Sequence, residues 1–217
     1  MKKLILFLSI FSTMAFAQPM HKYSVTITNI TKGQIFSPPV VIAHNPSYVL
    51  YNLGQPARPS LALMAEDGNN GDIVAEAEVH EGVYSVMSGD GVLMPGESVI
   101  LELETPAGAN WFTIAGMLVS TNDAFFALNG VKAPTAFYSR GNSMTYRAEA
   151  YDAGSEANSE DCGFIPGPPC GNGGVRDTEG AEGYVYLHSG IHGGVDLDAA
   201  SYDWRSTVAT VTIKVIR

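Results

Sequence analysis

Alternation of apolar and polar residues constrains the fold of this chain more than any other sequence feature. The segment 209–215 reads Ala-Thr-Val-Thr-Ile-Lys-Val, so every second side chain is apolar, and segments 23–28 and 99–104 have the same period. A strand with one buried face and one solvated face shows this pattern. The alternation therefore predicts antiparallel strands that share one core.

Apolar runs rich in branched and aromatic residues predict further strands at 111–120, 143–151 and 184–188. A strand is also predicted to start at Val40, after Pro38-Pro39. Together with the alternating segments, these strands predict an all-β fold, an antiparallel β-sandwich in one domain.

Three segments depart from the strand pattern. Segments 60–66 and 72–79 are rich in Ala, Leu, Met and Glu and flank Asn69-Asn70-Gly71, which predicts two short helical insertions, with Ser60 as the first N-cap. Segment 153–182 is poor in apolar residues and rich in Gly, Pro and acidic residues. This composition predicts a long exposed loop.

The first 17 residues have the three parts of a signal peptide. Lys2 and Lys3 are followed by an apolar stretch at 4–16, and Ala15-Phe16-Ala17 has small residues where signal peptidase requires them. The apolar stretch is about 13 residues long, whereas a membrane span needs about 20. We therefore expect cleavage after Ala17, which leaves a domain at 18–217 that is secreted or periplasmic, with no membrane insertion.

The charge balance narrows the class of partner. The whole chain carries a formal charge of −10, and removal of Lys2 and Lys3 makes the remainder still more acidic. Such a field repels nucleic acid and anionic lipid headgroups. An acidic excess suits a cation, or serves solubility alone.

The chain has two cysteines, Cys162 and Cys170. An even pair in an oxidising compartment predicts one disulfide, which closes a short loop. Two thiolates without a third clustered ligand make a poor zinc site.

Three acidic residues follow predicted strands. Asp123 comes after the strand at 111–120, while Asp152 and Glu156 come after the strand at 143–151. If these strands are neighbours and run the same way, the three carboxylates meet at one end of the sandwich. Hard oxygen ligands from loops are what Ca²⁺ requires. The alternative is that all three are ordinary solvated acids.

Two histidines offer a different chemistry. His188 and His192 have the spacing of a zinc pair on a helix, but the glycines at 190, 193 and 194 disfavour a helix there. The alternatives are a loop-borne transition-metal site and a simple turn. No Gly-x-Ser-x-Gly motif surrounds Ser189, so a serine hydrolase is not expected.

Four blocks of sequence, in this order along the chain, resemble the spondin domain found near the N-terminus of F-spondin, in mindin and in exported bacterial proteins. The blocks are Ile-Phe-Ser-Pro-Pro at 35–39, Asn-Asp-Ala-Phe-Phe at 122–126, Tyr-Asp-Ala-Gly-Ser-Glu at 151–156 and Ser-Thr-Val-Ala-Thr-Val at 206–211. The block at 151–156 is the most specific of them. The resemblance covers nearly all of the chain after the signal peptide.

The resemblance implies a β-sandwich similar to C2 domains, with calcium held by loops at one end. Its metal ligands map onto Asp152 and Glu156 within the matching block, and onto Asp123 after the preceding strand. Glu156 stands where the animal proteins have Asp. The loop between Cys162 and Cys170 is not part of the animal pattern, and thrombospondin repeats do not follow.

These inferences predict an exported, non-catalytic, calcium-binding module for adhesion or ligand binding at the cell envelope or outside the cell. Its expected partner is an extracellular or envelope protein or a glycan. The alternative function is a metal-dependent enzyme that uses the loop of His188 and His192.

Overall fold

The computed structural model describes residues 19–135 and 141–216, and the predicted signal peptide at 1–17 lies outside them. The strands are β1 (Met20–Asn29), β2 (Val40–His44), β3 (Val83–Ser88), β4 (Ser98–Pro106), β5 (Trp111–Met117), β6 (Ala124–Lys132), β7 (Ser143–Asp152), β8 (Tyr186–Leu187) and β9 (Thr207–Val215). The helices are α1 (Pro59–Asp67), α2 (Gly71–Glu78) and α3 (Ala199–Tyr202).

Hydrogen bonds join these strands into one antiparallel sheet. The order is β3-β2-β5-β6-β7-β9-β1-β4, and β8 pairs with β7 outside this path. The two end strands, β3 and β4, also lie next to each other, so the sheet is nearly closed. The prediction of an all-β, antiparallel fold with short helical insertions is confirmed.

The alternating strands place their apolar side chains in the main core. Val25 in β1 lies opposite Leu101 in β4 and opposite Ile213 in β9, and all three side chains are buried. Neighbouring positions such as Thr26 and Thr212 face outward. Burial of a side chain of this size contributes about 1.5–3 kcal/mol.

Strands β2 and β5 are buried on both faces because the two longer helices cover their outer side. Leu61 and Met64 of α1 pack in a second cluster with Val40, Ile42 and Phe125. The opposite face of the same strands contributes to the main core. Helix α1 contacts β5 and β6, and its residue Glu66 lies in the site described below.

The two predicted helices are confirmed, but the prediction of Ser60 as the N-cap of the first helix is wrong. Arg58 is the N-cap of α1 and Pro59 occupies its first turn, where a missing N–H is harmless. Ser60 lies inside the helix and its hydroxyl donates to Glu76 Oε2 of α2 at 2.7 Å. No helix among the described residues is long and apolar enough to cross a membrane.

Some elements differ from the sequence prediction. Strands β3 and β6 and helix α3 were not predicted, and the strand predicted at 111–120 ends at Met117. Segment 153–182 contains no helix or strand, as predicted, but it is not exposed throughout. Glu156, Glu160 and Ile165 are buried, because this segment folds back onto the end of the sheet.

The predicted disulfide between Cys162 and Cys170 is present, across a sequence separation of 8. A loop this short loses little entropy on closure, so the bond stabilises the fold by about 2–3 kcal/mol. We expect the double variant Cys162→Ser/Cys170→Ser to lower the free energy of unfolding by no more than this, measured by urea denaturation. Loss of the folded state would show that the bridge supports more of the molecule than its own loop.

Candidate functional site

The predicted carboxylates lie at one end of the sheet, around the junction of β6 and β7. Asp123 directly precedes β6, Asp152 is the last residue of β7, and Ala124 lies opposite Asp152 in the register. Strands β5 and β7 were expected to be neighbours, but β6 lies between them. They still run the same way, since each is antiparallel to β6.

Asp123 organises the turn that follows β7. Its Oδ2 accepts hydrogen bonds from the backbone N–H of Ser155 at 2.7 Å and of Glu156 at 3.0 Å, and from the Ser155 hydroxyl at 3.2 Å. Its backbone carbonyl accepts from Ala153 N at 3.2 Å. One oxygen of Asp123 therefore fixes the backbone at Glu156.

Asp152 belongs to a hydrogen-bonded chain that leads to a buried histidine. Its Oδ1 accepts from Gly154 N at 2.7 Å and its Oδ2 from Asn158 Nδ2 at 2.5 Å. His188 Nδ1 accepts from Gly190 N, so the neutral ring carries its proton on Nε2, which donates to Asn158 Oδ1 at 3.1 Å. Burial lowers the pKa of His188 to about 4, which keeps the ring neutral.

Glu156 faces helix α1 and the far part of the long loop. Its Oε1 accepts from Asp177 N at 2.7 Å. The adjacent Arg176 forms ion pairs with Glu66 of α1 (Nε to Oε2, 2.8 Å) and with Asp67 (Nη2 to Oδ2, 2.7 Å). The cation of Arg176 thus lies beside an otherwise acidic group of side chains.

Four buried carboxylate oxygens have no hydrogen-bond partner among the described residues, including Glu182 Oε2 and Glu66 Oε2, which forms an ion pair with Arg176. The other two belong to predicted ligands. They are Asp123 Oδ1 and Glu156 Oε2, both on side chains with 0% exposure. Leaving a buried polar atom unsatisfied costs about 1–3 kcal/mol, and more for a charged group. A proton, a water molecule or a cation satisfies such an oxygen.

Burial raises the pKa of all three predicted carboxylates. The pKa of Asp123 is raised by desolvation and then by the charge of Asp152, and that of Asp152 by desolvation. Desolvation, with smaller contributions from Glu66 and Asp123, raises the pKa of Glu156 to about 8. Without a cation, Glu156 therefore favours its protonated form at neutral pH.

The raised pKa of Glu156 predicts that the stability of the metal-free protein, measured in the presence of a chelator, depends on pH. Between the ordinary value of 4.5 and about 8, folded Glu156 keeps a proton that the unfolded chain has released. Stability therefore falls as pH rises through this window, by up to about 1.4 kcal/mol per pH unit for one such group. Buried His188 has the opposite effect below about pH 6.5, because its pKa is lowered from 6.5 to about 4. We therefore expect the urea midpoint of chelated protein to decrease from about pH 6.5 to about pH 8, and the decrease to be smaller in Glu156→Gln. A midpoint that rises across this range would contradict the assignment.

The described residues, 19–135 and 141–216, hold no group of three or more His, Cys, Asp and Glu side chains placed to bind a metal ion. The structure brings Asp123, Asp152 and Glu156 to one place but does not converge them into a complete ligand set. The predicted loop site at His188 and His192 likewise lacks a third ligand. His188 is buried, whereas the His192 side chain is 70% exposed.

Ser189 lies in an arrangement that resembles a catalytic triad in order but not in geometry. Its hydroxyl is 3.4 Å from His192 Nε2, and His192 Nδ1 is 3.6 Å from Glu160 Oε1. The N–H groups of Gly190 and Ile191 already donate to His188 and Asp203, so they do not form an oxyanion hole. His192, which would have to act as the general base, is also largely exposed to water. These features disfavour acyl transfer at Ser189.

Sequence reasoning missed Glu66, Asn158 and Arg176 as parts of the site. Glu66 and Arg176 come from a helix and a loop far apart in the chain, and no pattern in either segment indicates that they meet. Asn158 lies two residues beyond the block at 151–156, and this closeness is the one sequence signal that could have indicated its place in the site. No protein-family model matches the chain and no curated protein matches it, so the site is interpreted from its own geometry.

Proposed function

We propose that the chain is an exported, calcium-binding module of the spondin type, which acts by adhesion or ligand binding rather than by catalysis. The observation that carries the proposal is the pair of buried, unpartnered oxygens, Asp123 Oδ1 and Glu156 Oε2. Carboxylate oxygen is the ligand that Ca²⁺ prefers. The disulfide and the resemblance of the block at 151–156 support the same proposal.

Asp123 and Glu156 fit the ligand role better than Asp152. Both oxygens of Asp152 accept hydrogen bonds, from Gly154 and Asn158, whereas Asp123 and Glu156 each keep one oxygen free. Since two carboxylates do not fill the six to eight positions around Ca²⁺, backbone carbonyls and water would complete the shell. Asp152 then contributes negative charge and holds Asn158 in place.

A bound cation would relieve the cost of assembling this group. Desolvation and mutual repulsion raise the pKa values of Asp123 and Glu156, and a divalent charge beside them favours their ionised forms. Arg176 already lowers the pKa of Glu156 slightly. It therefore acts as an internal countercharge that opposes a cation at the same carboxylates.

Isothermal titration calorimetry of chelator-treated protein with calcium chloride tests the proposal. We expect one binding event, which Asp123→Asn and Glu156→Gln each weaken by more than about tenfold, since each removes one ligand charge. Arg176→Gln should strengthen binding, because it removes the opposing charge.

Matched controls come from exposed acids outside the site. Asp90→Asn and Glu179→Gln make the same chemical changes at exposed residues and should leave the titration unchanged. No heat of binding in the wild-type protein, or equal loss in the site variants and the controls, would refute calcium binding here.

A further inference from the structure

A second site lies on the other side of His188 from the acidic group. An open cleft of about 450 Å³ runs between the end of β7, the turn after β8 and the start of β9. Its lining includes Leu187, Trp204, Arg205 and Glu149. A cleft of this size accommodates a small ligand or one or two units of a chain molecule.

Trp204 forms a fixed apolar surface in this cleft. The indole is half-buried against the core clusters and its ring centroid lies 5.0 Å from that of His188, at an interplanar angle of 49°. Leu187 beside it is 55% exposed. A rigid, partly exposed aromatic ring loses little entropy when a ligand packs on it.

Hydrogen-bonding groups of both kinds surround the indole. Glu149 and Arg205 are exposed, and within residues 19–135 and 141–216 neither side chain makes a hydrogen bond or ion pair, although the charge of Glu149 helps to raise the pKa of Tyr51. Asp203 also lines the cleft, and its Oδ1 accepts from Ile191 N at 3.0 Å. The cleft thus presents acceptors and a five-donor guanidinium around one apolar face.

Two irregularities of the backbone occur at this cleft. The pairing of β7 with β9 shifts register between Ala148 and Glu149, and Ser206 has a φ of 59°. Bulges redirect side chains near binding sites, and non-glycine residues rarely adopt the left-handed conformation. The register shift occurs at Glu149 itself, and the positive φ occurs at the residue after Arg205.

We infer that this cleft binds a neutral saccharide, with one sugar ring packed on Trp204. The C–H face of a pyranose is apolar and suits an indole, and its hydroxyls both donate to carboxylates and accept from a guanidinium. An anionic ligand would face Glu149 and Asp203, and a cationic one would face Arg205. A neutral polyol uses all three groups without repulsion.

Trp204 fluorescence gives a direct test. The chain has two tryptophans, so Trp111→Phe leaves Trp204 as the sole indole and also serves as a control at the other tryptophan. The probes are cellotetraose, maltotetraose, laminaritetraose and tetra-N-acetylchitotetraose, with tetragalacturonate and tetralysine as charged comparisons. We expect at least one neutral tetrasaccharide to bind with a millimolar or lower Kd and to shift the Trp204 emission.

The variants locate the binding. Calorimetry should show a loss of about tenfold or more in Trp204→Ala, a smaller loss in Trp204→Phe, and about threefold to tenfold in Arg205→Gln and Glu149→Gln. Trp204→Phe and Arg205→Gln keep the test valid if Trp204→Ala does not fold. Binding unaffected by these variants, no neutral probe bound in the millimolar range, or binding of a charged probe alone would overturn the inference.

This inference does not depend on the calcium site. Each titration is run with calcium and with chelator, so failure of calcium binding and failure of saccharide binding are separate results. If saccharide binds in the presence of chelator and calcium addition gives no heat, the proposal of saccharide binding stands and the proposal of calcium binding is rejected.

Discussion

Calcium is expected to raise the melting temperature of this protein by about 5–10 °C when it is about a hundredfold above its Kd. Binding to the folded state alone then adds about 2.7 kcal/mol, and a chain of this size gains about 2–4 °C per kcal/mol. On the proposed function, the gain arises because Ca²⁺ supplies a partner to Asp123 Oδ1 and Glu156 Oε2, which are buried without one among the described residues. Differential scanning calorimetry with calcium and with chelator measures it.

The effect of each variant on the calcium-dependent rise in melting temperature should depend on whether the replaced carboxylate has an oxygen without a hydrogen-bond partner. Asp123→Asn and Glu156→Gln should remove most of the calcium-dependent shift, while Asp152→Asn should reduce it less, since both Asp152 oxygens are already hydrogen-bonded. Asp90→Asn should retain the full shift. A wild-type melt that is the same in calcium and in chelator would leave the three carboxylates as buried acids without a metal.

Replacement of Gly154 by alanine is expected to cost about 2–5 kcal/mol, the sum of backbone strain and steric overlap. Gly154 has a φ of +65°, and an added Cβ would lie 2.6 Å from Tyr184 N and closer still to the Tyr184 carbonyl. Both contacts are with backbone, which has little freedom to move. Urea denaturation of Gly154→Ala gives the free energy directly.

Gly173→Ala separates the two causes. Gly173 has a φ of +61° in the same long loop, but nothing lies within 4 Å of an added Cβ. This variant should therefore cost about 1 kcal/mol, from backbone strain alone. Equal losses at Gly154 and Gly173 would show that the turn after β7 opens to admit the methyl group. Calcium affinity should fall in Gly154→Ala only, because the turn presents Glu156.

The strands predicted from alternation are those with one solvated face, whereas β2 and β5, buried on both faces, were predicted from their apolar, branched and aromatic residues. In β1, β4 and β9 most outward-facing residues are polar, so the period is visible in the sequence. Strand β6 begins with Ala-Phe-Phe-Ala-Leu, which is buried on both faces and has no alternation to read. The helices that cover it are the cause, and their position is not encoded in its own residues.

The end of the sheet that carries Asp123 and Asp152 was predicted, although the arrangement of strands was not. Strand β6 lies between β5 and β7 and is antiparallel to both, so β5 and β7 run in the same direction. The acidic residues that follow them therefore lie at the same end of the sheet. Their burial was not predicted, because it depends on α1 and on Arg176 folding over them. Glu66 and Arg176 are 110 positions apart in the chain, and only the tertiary fold joins them.

The place of β1 in the sheet has a consequence for how the chain acquires its fold. Val25 is paired with Leu101 of β4 on one side and with Ile213 of β9 on the other, and β9 lies far later in the chain than β4. Until β9 is available, β1 has an open edge and the main core lacks one wall. Pairings this distant in sequence form slowly. The main core is therefore expected to form in one late step, when β9 pairs with both β1 and β7.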